Sequence, residues 1–227
     1  MIDFGASAEQ DRLVDMCHRL EPELVVLIQD HGEAAATLGG FGISTVQVDQ
    51  HDVSGILGSI EQIATRCGVE REGRRLVAAV SRRLDLVAAR TGALARPSTL
   101  VVVGREAGGG SPRSVWVAGH ETFYDDVLRL AGGANAVGSS VAAYPELSRE
   151  GLLHLDPKVI IDLLADLPER GVDLSAALDD WSDLSVLRAV RTGRVHPLDH
   201  SYAVVPGPGV VELVEDFARI LHPEVGS

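Results

Sequence analysis

Aromatic side chains are scarce in this chain: four Phe, three Tyr and two Trp make up 4% of 227 residues. Rings supply much of the flat apolar area in cores and binding surfaces, so here each one is informative. Cysteine is scarcer still, with only Cys17 and Cys67. Two thiols do not make the dense disulfide framework of a small secreted domain. Cys17 shares a helical stripe with Leu13, Val14 and Leu20, so it is expected as a buried free thiol behaving as a small apolar residue. Basic residues are outnumbered, 20 Lys and Arg against 33 Asp and Glu, for a net charge of -13. Nucleic acid is thereby excluded as a general partner, because such binders gain affinity from clustered cations that displace counterions. Long apolar runs are also missing. The strongest, Leu24 to Ile28 and Leu100 to Val103, are strand-sized and far short of the roughly 20 residues that span a bilayer. Nor do Met1 to Ser7 show the basic start and apolar middle of a secretory signal, so the sequence as written is expected in the cytoplasm.

What is present is a foldable chain, 45% hydrophobic and 23% charged. Its length suits one sizeable core or two small lobes. Ser7 and Gln10 stand in capping-box spacing before an apolar stripe that Pro22 stops, which predicts a helix from Ser7 to Leu20. Glu23 to Ile28 reads as a strand buried on both faces of a parallel sheet. A helix near Gly32 to Leu38 and an alternating strand at Ile43 to Val48 continue the βα pattern. Leu76, Val77, Val80, Leu84 and Val87 then recur at helical spacing over Glu72 to Arg90, the longest helix of the chain.

The second half restarts with a strand at Ser98 to Gly104, a glycine-rich loop to Pro112, and a strand around Ser114 to Val117. Helices follow at Glu121 to Ala131 and Ser148 to Leu155, a strand at Lys158 to Leu163, a helix near Leu184 to Arg191 and a strand at Arg194 to Leu198. The closing helix, Val210 to Leu221, carries its apolar residues on one face and acids in its first turns. The division expected is an N-terminal α/β lobe over 1–70, a connecting helix over 71–92 and a C-terminal α/β lobe over 93–227.

Tyr124 to Val137 contains a helix that ends in Ala131-Gly132-Gly133-Ala134-Asn135. Tyr144-Pro145-Glu146-Leu147-Ser148-Arg149-Glu150 follows, and then the Pro-led strand Asp156-Pro157-Lys158-Val159-Ile160-Ile161. Upstream stands Leu20-Glu21-Pro22-Glu23-Leu24-Val25. Downstream stand Trp181, Ala189 to Val195, Pro206-Gly207-Pro208 and Leu221-His222-Pro223. Taken in this order, these segments resemble the cobalamin and ferric-siderophore periplasmic-binding family that serves ABC importers. The resemblance implies an α/β fold of two Rossmann-like lobes joined by a long helix. It also implies that the first lobe is incomplete, since family members carry two further βα units ahead of this starting point. Where the family often has Arg after the Pro-Gly-Pro turn, this chain has Gly209, removing a cation near the ligand.

The resemblance further implies that each lobe offers a carboxylate to a membrane permease, at Glu150 and Asp15. Glu150 equally suits the first turn of a helix after Ser148, and Asp15 a solvated helix face. A cleft for a corrinoid, haem or ferric chelate needs flat apolar walls with a few directed polar groups. Tyr144, Tyr202 and Trp181 are expected in loops and Trp116 in or at the end of a strand; cleft wall and ordinary packing are both open for each. His196 and His200 are separated by Pro197 and do not share a helical face, so no direct metal site is expected. The glycines from Gly104 to Gly110 match neither nucleotide-binding pattern, and there is no G-x-S-x-G elbow. The chain is therefore not expected to be an enzyme or to hold a resident cofactor. The reading is capture of a metal chelate, held as ligand, for delivery to an ABC permease, from the periplasm or cell surface if the chain is exported. A cytoplasmic remnant or regulatory module of the same fold, acting through protein interaction, is the alternative. Missing strand partners also lead us to expect a homodimer through the N-terminal lobe.

Overall fold

The computed structural model describes residues 6–29, 32–139, 142–165 and 167–224. Helix α1 (Ala6–Leu20) turns Cys17 inward at 5% exposure as a free thiol. The side chains of Ser7 and Gln10, and so the capping box, lie outside the described residues. The helix closes through the left-handed Glu21, whose N–H returns to the Cys17 carbonyl at 2.8 Å. Pro22 then forbids another turn.

Strand β1 (Val25–Ile28), helix α2 (Gly32–Gly40) and strand β2 (Thr45–Val48) form a parallel βαβ unit. The expectation of a strand covered on both faces is corrected here. Val26 and Ile28 are 47% and 42% exposed, and only the alternate residues Val25 and Leu27 turn toward cover. Among the described residues this sheet has two strands.

Helix α3 (Val53–Arg66) was not foreseen. It starts on Asp52, whose Oδ1 accepts the Gly55 N–H at 2.6 Å, and it buries Val53, Ile56 and Ala64. Helix α4 (Glu70–Thr91) is the predicted long helix, 22 residues from end to end.

Beyond it lies the larger sheet. Its strands are β3 (Ser98–Gly104), β4 (Ser114–Val117), β5 (Ala134–Asn135), β6 (Glu146–Ser148), β7 (Val159–Leu163) and β8 (Val195–Leu198), in the order β6-β4-β3-β7-β8 with β5 beside the start of β3. β3, β7 and β8 run parallel, while β4 turns back antiparallel through the glycine-rich loop. Helices α5 (Phe123–Leu130) and α10 (Val210–Leu221) cover one face, and α6 (Arg149–Leu155) follows β6. The region after β7 holds α7 (Leu167–Arg170), α8 (Leu174–Asp179), a 3-10 turn at Asp180–Leu184 and α9 (Arg188–Arg191). The single helix expected near Leu184 to Arg191 is thus two short pieces, broken at Ser185 to Leu187.

α4 is bound to the larger sheet's layer along its length. Val80, Leu84 and Val87 join one core with Val127, Leu128 and Phe217 of α5 and α10. Arg83 forks onto Glu215 at 3.0 and 2.8 Å and reaches Glu212 at 2.7 Å. At the far end the Thr91 hydroxyl donates to the Leu130 carbonyl at 2.8 Å. No helix among the described residues is long and apolar enough to cross a membrane.

Candidate functional site

The two parts of the chain are tied where α3 and α5 both begin. The Val53 N–H donates to Asp126 Oδ2 at 3.1 Å, so a carboxylate on α5 satisfies one of the orphan donors of α3. Just ahead of α3, Asp49 accepts the His51 N–H at 3.0 Å and stands 2.8 Å from its Nδ1. The His51 main-chain and side-chain bonds hold the Asp49 carboxyl below its ordinary value.

The loop into α5 is built as tightly. Gly119 passes so close to the segment ahead of β6 that a Cβ there would stand 2.6 Å from the Ala142 carbonyl oxygen. Its N–H reaches the Ala143 carbonyl at 2.7 Å. Glu121 is left-handed at φ 63°, a conformation that costs a non-glycine residue roughly 1–3 kcal/mol unless its surroundings enforce it. The enforcement is visible: Thr122 Oγ1 donates to the Gly119 carbonyl at 2.9 Å, and His120 Nδ1 lies 3.1 Å from Asp125 Oδ2. The other Asp125 oxygen accepts from Asn135 Nδ2 at 3.1 Å. Asn135 also donates to the Ala118 carbonyl at 3.2 Å and accepts the Val137 N–H at 3.0 Å. The asparagine of the Ala-Gly-Gly-x-Asn segment is therefore a staple holding the entry of α5.

Two of the candidate aromatics stand on neighbouring chain segments beside this loop. Trp116 on β4 is paired with Glu146 on β6, and the bonds from Val117 to Pro145 and from Gly119 to Ala143 extend that ladder until Ala118 faces Tyr144. Side chains alternate along a strand, so Trp116, Glu146 and Tyr144 share one face of the ribbon. Trp116 is 46% exposed and borders a hollow of about 520 Å³ with Gly104, Gly110, Pro112 and Arg113. Tyr144 shows 38% of its surface, yet burial of its hydroxyl end pushes that phenol above its ordinary value. Tyr124 is its electrostatic neighbour. Burial first, then Tyr144, raises the Tyr124 hydroxyl well up, and that hydroxyl donates to the Ala203 carbonyl at 2.9 Å.

Tyr202 stands in the 3-10 turn Ser201–Ala203 and turns onto α10. It stacks on His200 with ring centroids 5.0 Å apart, and its hydroxyl donates to Asp216, which also pairs with Arg219. Desolvation and the Asp216 carboxylate push it up to about 12. The residues after it, Val204 and Val205, are 41% and 59% exposed and add apolar surface that the sequence did not single out.

Trp181 requires a correction. It is 1% exposed inside the sheet's second core, and a ring without accessible surface cannot form a cleft wall. Its Nε1 donates to Asp162 Oδ2 at 2.9 Å, and the Arg105 guanidinium lies 5.4 Å over its ring. Arg105 also binds Asp162 and Asp180 at 2.9 and 2.7 Å, all inside the protein. Burial works against this guanidinium, but the two carboxylates more than reverse that and hold it above its ordinary value. Burial likewise pushes the Asp162 carboxyl up, against the pull of Arg105. Asp180 further accepts the N–H groups of Gly108 and Gly110 at 2.7 and 2.8 Å, pinning the glycine-rich loop. That loop is a structural hairpin stapled from below.

Glu150 and Asp15 are both exposed. Glu150 sits in the first turn of α6 behind Ser148, whose Oγ accepts the Gly151 N–H at 3.3 Å. Main-chain and Ser148 hydrogen bonds hold its carboxyl below the usual range. His196 and His200 border a separate hollow of about 470 Å³ between β8 and α10. Among the described residues no group of three or more His, Cys, Asp and Glu converges as a metal site. His120 was missed in the sequence because nothing in local periodicity marks it; its partner Asp125 stands five residues on, and Asn135, which holds Asp125, fifteen.

Comparison with known proteins agrees with this architecture. An ABC transporter substrate-binding lipoprotein of Bacillus subtilis strain 168, YvrC, is 24% identical over 215 residues, 90% of this chain and 63% of that protein's length. The chain thus spans less than two thirds of that curated relative. An ABC transporter substrate-binding protein from Listeria monocytogenes EGD-e superposes with a TM-score of 0.77 at 16% identity, over 92% of this chain and 80% of that one. The periplasmic haem-binding protein BhuT, solved in complex with two haems, superposes at 0.71 with 26% identity, over 95% and 79%. The family model described as periplasmic binding protein matches residues 10–202, and on that span this chain belongs to the periplasmic binding protein family.

Proposed function

We propose that this chain captures a metal chelate beside the loop into α5 and hands it to an ABC permease, without making or breaking a bond. The observation that carries the reading is the exposed aromatic ribbon face, Trp116 with Tyr144, beside the strained entry of α5. Flat apolar surface next to a rigid polar loop is what a large planar or lobed ligand needs. The likeness to a lipoprotein and to BhuT supports an exported location and an iron-containing ligand. The cytoplasmic expectation finds no support in these relatives.

Titration of the purified chain with ferric protoporphyrin, cyanocobalamin and a ferric hydroxamate tests the proposal. One of the three is expected to bind, and Trp116→Ala or Tyr144→Ala to weaken it roughly 2- to 12-fold, the range for a lost aromatic contact. No binding of any class would refute it. For docking, Glu150→Arg is expected to reduce transport in a reconstituted importer while leaving ligand affinity unchanged, since rim charges act on encounter with a partner.

A second reading, interaction with another protein chain, is favoured by the exposed Leu20, Val26, Ile28 and Phe41 of the first lobe. Self-association there belongs to this proposal, and light scattering at micromolar concentration tests it.

A further inference from the structure

We infer that the outward face of α4 is a docking surface for an anionic phospholipid bilayer. The inference goes beyond chelate capture and holds or fails without any ligand in the protein.

α4 is sorted by charge as well as by hydropathy. Gly73, Val80, Leu84, Val87 and Thr91 form its buried stripe. On the opposite side Arg71, Arg75, Ala78, Arg82 and Ala89 recur at helical spacing with Arg74 beside them, all exposed. The helix holds six arginines against Glu70, Glu72 and Asp85, a net of +3 in a chain of net -13, so the remaining residues carry -16. Cations are thus concentrated on one element of an acidic protein. Pairing within the fold accounts for Arg83, which is forked onto Glu215 and reaches Glu212 of α10. Arg71 has a 3.7 Å approach to Glu72, but both side chains are 61% or more exposed, and such a pair contributes little. Arg74, Arg75 and Arg82 make no hydrogen bond or ion pair among the described residues, so their guanidinium groups are open to a partner.

Shape selects that partner. The two hollows described above are lined by residues outside α4, and the arginines stand on a ridge instead. From Arg71 to Arg82 they spread over roughly 16 Å, too far to converge on one small anion. A bilayer carrying anionic headgroups offers phosphates across a plane, and each phosphate takes a guanidinium fork. Leu76 and Leu86, 40% and 53% exposed, flank the arginines with apolar surface, a composition that suits the boundary between headgroups and acyl chains. Acids elsewhere on the chain oppose the contact, but those more than about 8 Å from the membrane are screened at physiological salt. Asp85 stands on the same face and reduces the attraction without cancelling it.

The test is co-sedimentation of the full chain with vesicles of phosphatidylcholine alone and of phosphatidylcholine mixed with phosphatidylglycerol. Binding is expected to the mixed vesicles only, and it falls as salt is raised. Each cation near an anionic surface contributes about fivefold in partition, so Arg74→Ala, Arg75→Ala and Arg82→Ala each weaken binding about fivefold, and the triple variant on the order of 100-fold. Arg75→Lys keeps most of the binding, which separates charge from any effect on the helix. Arg188→Ala, at an exposed arginine of α9, leaves binding unchanged. Thermal melts report whether each variant is folded, and Arg75→Glu serves where the triple variant is not. Equal binding to both vesicle types, no binding to either, or binding that the triple variant or Arg75→Glu retains overturns the inference. Dimers in light scattering that Arg75→Glu abolishes, without vesicle binding, assign the face to a second copy and overturn it as well. Chelate titration of the same variants is expected to match wild type, so this inference and the capture reading fail separately.

Discussion

Replacing Arg105 by Met tests the account of the protein's interior. The Arg105 side chain is wholly buried, as is Asp162, and Asp180 retains 3% exposure. Its guanidinium satisfies Asp162 at 2.9 Å, Asp180 at 2.7 Å and the carbonyls of Ala177 and Glu106 at 2.6 and 3.0 Å. Met preserves most of the apolar stem, so the loss is chiefly electrostatic. Two carboxylates are left in the core without their cation, a situation that costs about 3–5 kcal/mol. For a chain of this length each kcal/mol moves the melting temperature by about 2–4 °C, so a fall of roughly 6–20 °C is expected at pH 7. The pH dependence has a definite sign. Burial already raises the Asp162 carboxyl, and without Arg105 it rises further. A carboxyl raised in the folded state binds more protons there than in the unfolded chain, so its contribution is lost as pH rises through the folded value. The deficit should therefore be largest at neutral pH and shrink toward pH 4, near the ordinary Asp value of about 3.9. Thermal melts across that range, with hydrogen exchange at Gly108 and Gly110, measure both effects. A fall of less than about 2 °C at pH 7, or a deficit that ignores pH, would refute the reasoning.

Gly132→Ala should destabilise by roughly 2–5 kcal/mol, combining left-handed strain with overpacking, because at φ 80° its Cβ would lie 2.7 Å from His222 Nε2 and 2.8 Å from Thr91 Cβ. A chemical melt within about 1 kcal/mol of wild type contradicts the packing described. Phenolate absorbance should show no tyrosine ionising near the ordinary value of about 10 in the folded protein, and Tyr202→Phe should remove a transition at about 12. A full-size transition near pH 10 counts against that. Bound and free protein should give superimposable small-angle scattering curves, since Val53 is tied to Asp126 and Arg83 clamps α4 to α10. A large rigid-body rotation would break both ties.

Much of the fold is legible because its helices carry their own instructions. α10 holds Val210, Leu213, Val214, Phe217 and Leu221 on one buried face, and α4 repeats Val80, Leu84 and Val87. α3 escapes because Ser54, Gly55, Gly58 and Ser59 crowd its first turns and read as a turn cluster. Packing against β2 and α4, with the Asp52 cap, overrides that weak propensity. Trp181 misleads for a different reason. It lies among Asp179, Asp180, Ser182 and Asp183, a polar run that looks like exposed loop, while the buried partners that draw it inward, Arg105 and Asp162, are far away in sequence. Tyr144 and Trp116 are individually visible as scarce aromatics. That they share a face depends on the β4 to β6 register, which no local pattern announces.

The segment that carries the family resemblance divides into parts with different work. Gly132 and Gly133 face Thr91, His222, Leu221 and Leu128, so they fasten the ends of α4, α5 and α10 together. Any side chain there would force these helices apart, whatever ligand the protein held. Asp125 and Asn135 of that segment reach toward the candidate site, Asn135 through Asp125 to His120. A chain with the same helix ending and a different residue at 120 would therefore keep this fold and lose the contact from residue 120 to Asp125. Loss of the Asn135 amide would act differently. It would leave the glycine joints intact, release Asp125, and let the His120 ring turn, so its effect would fall on the loop into α5 before it fell on the helix joints.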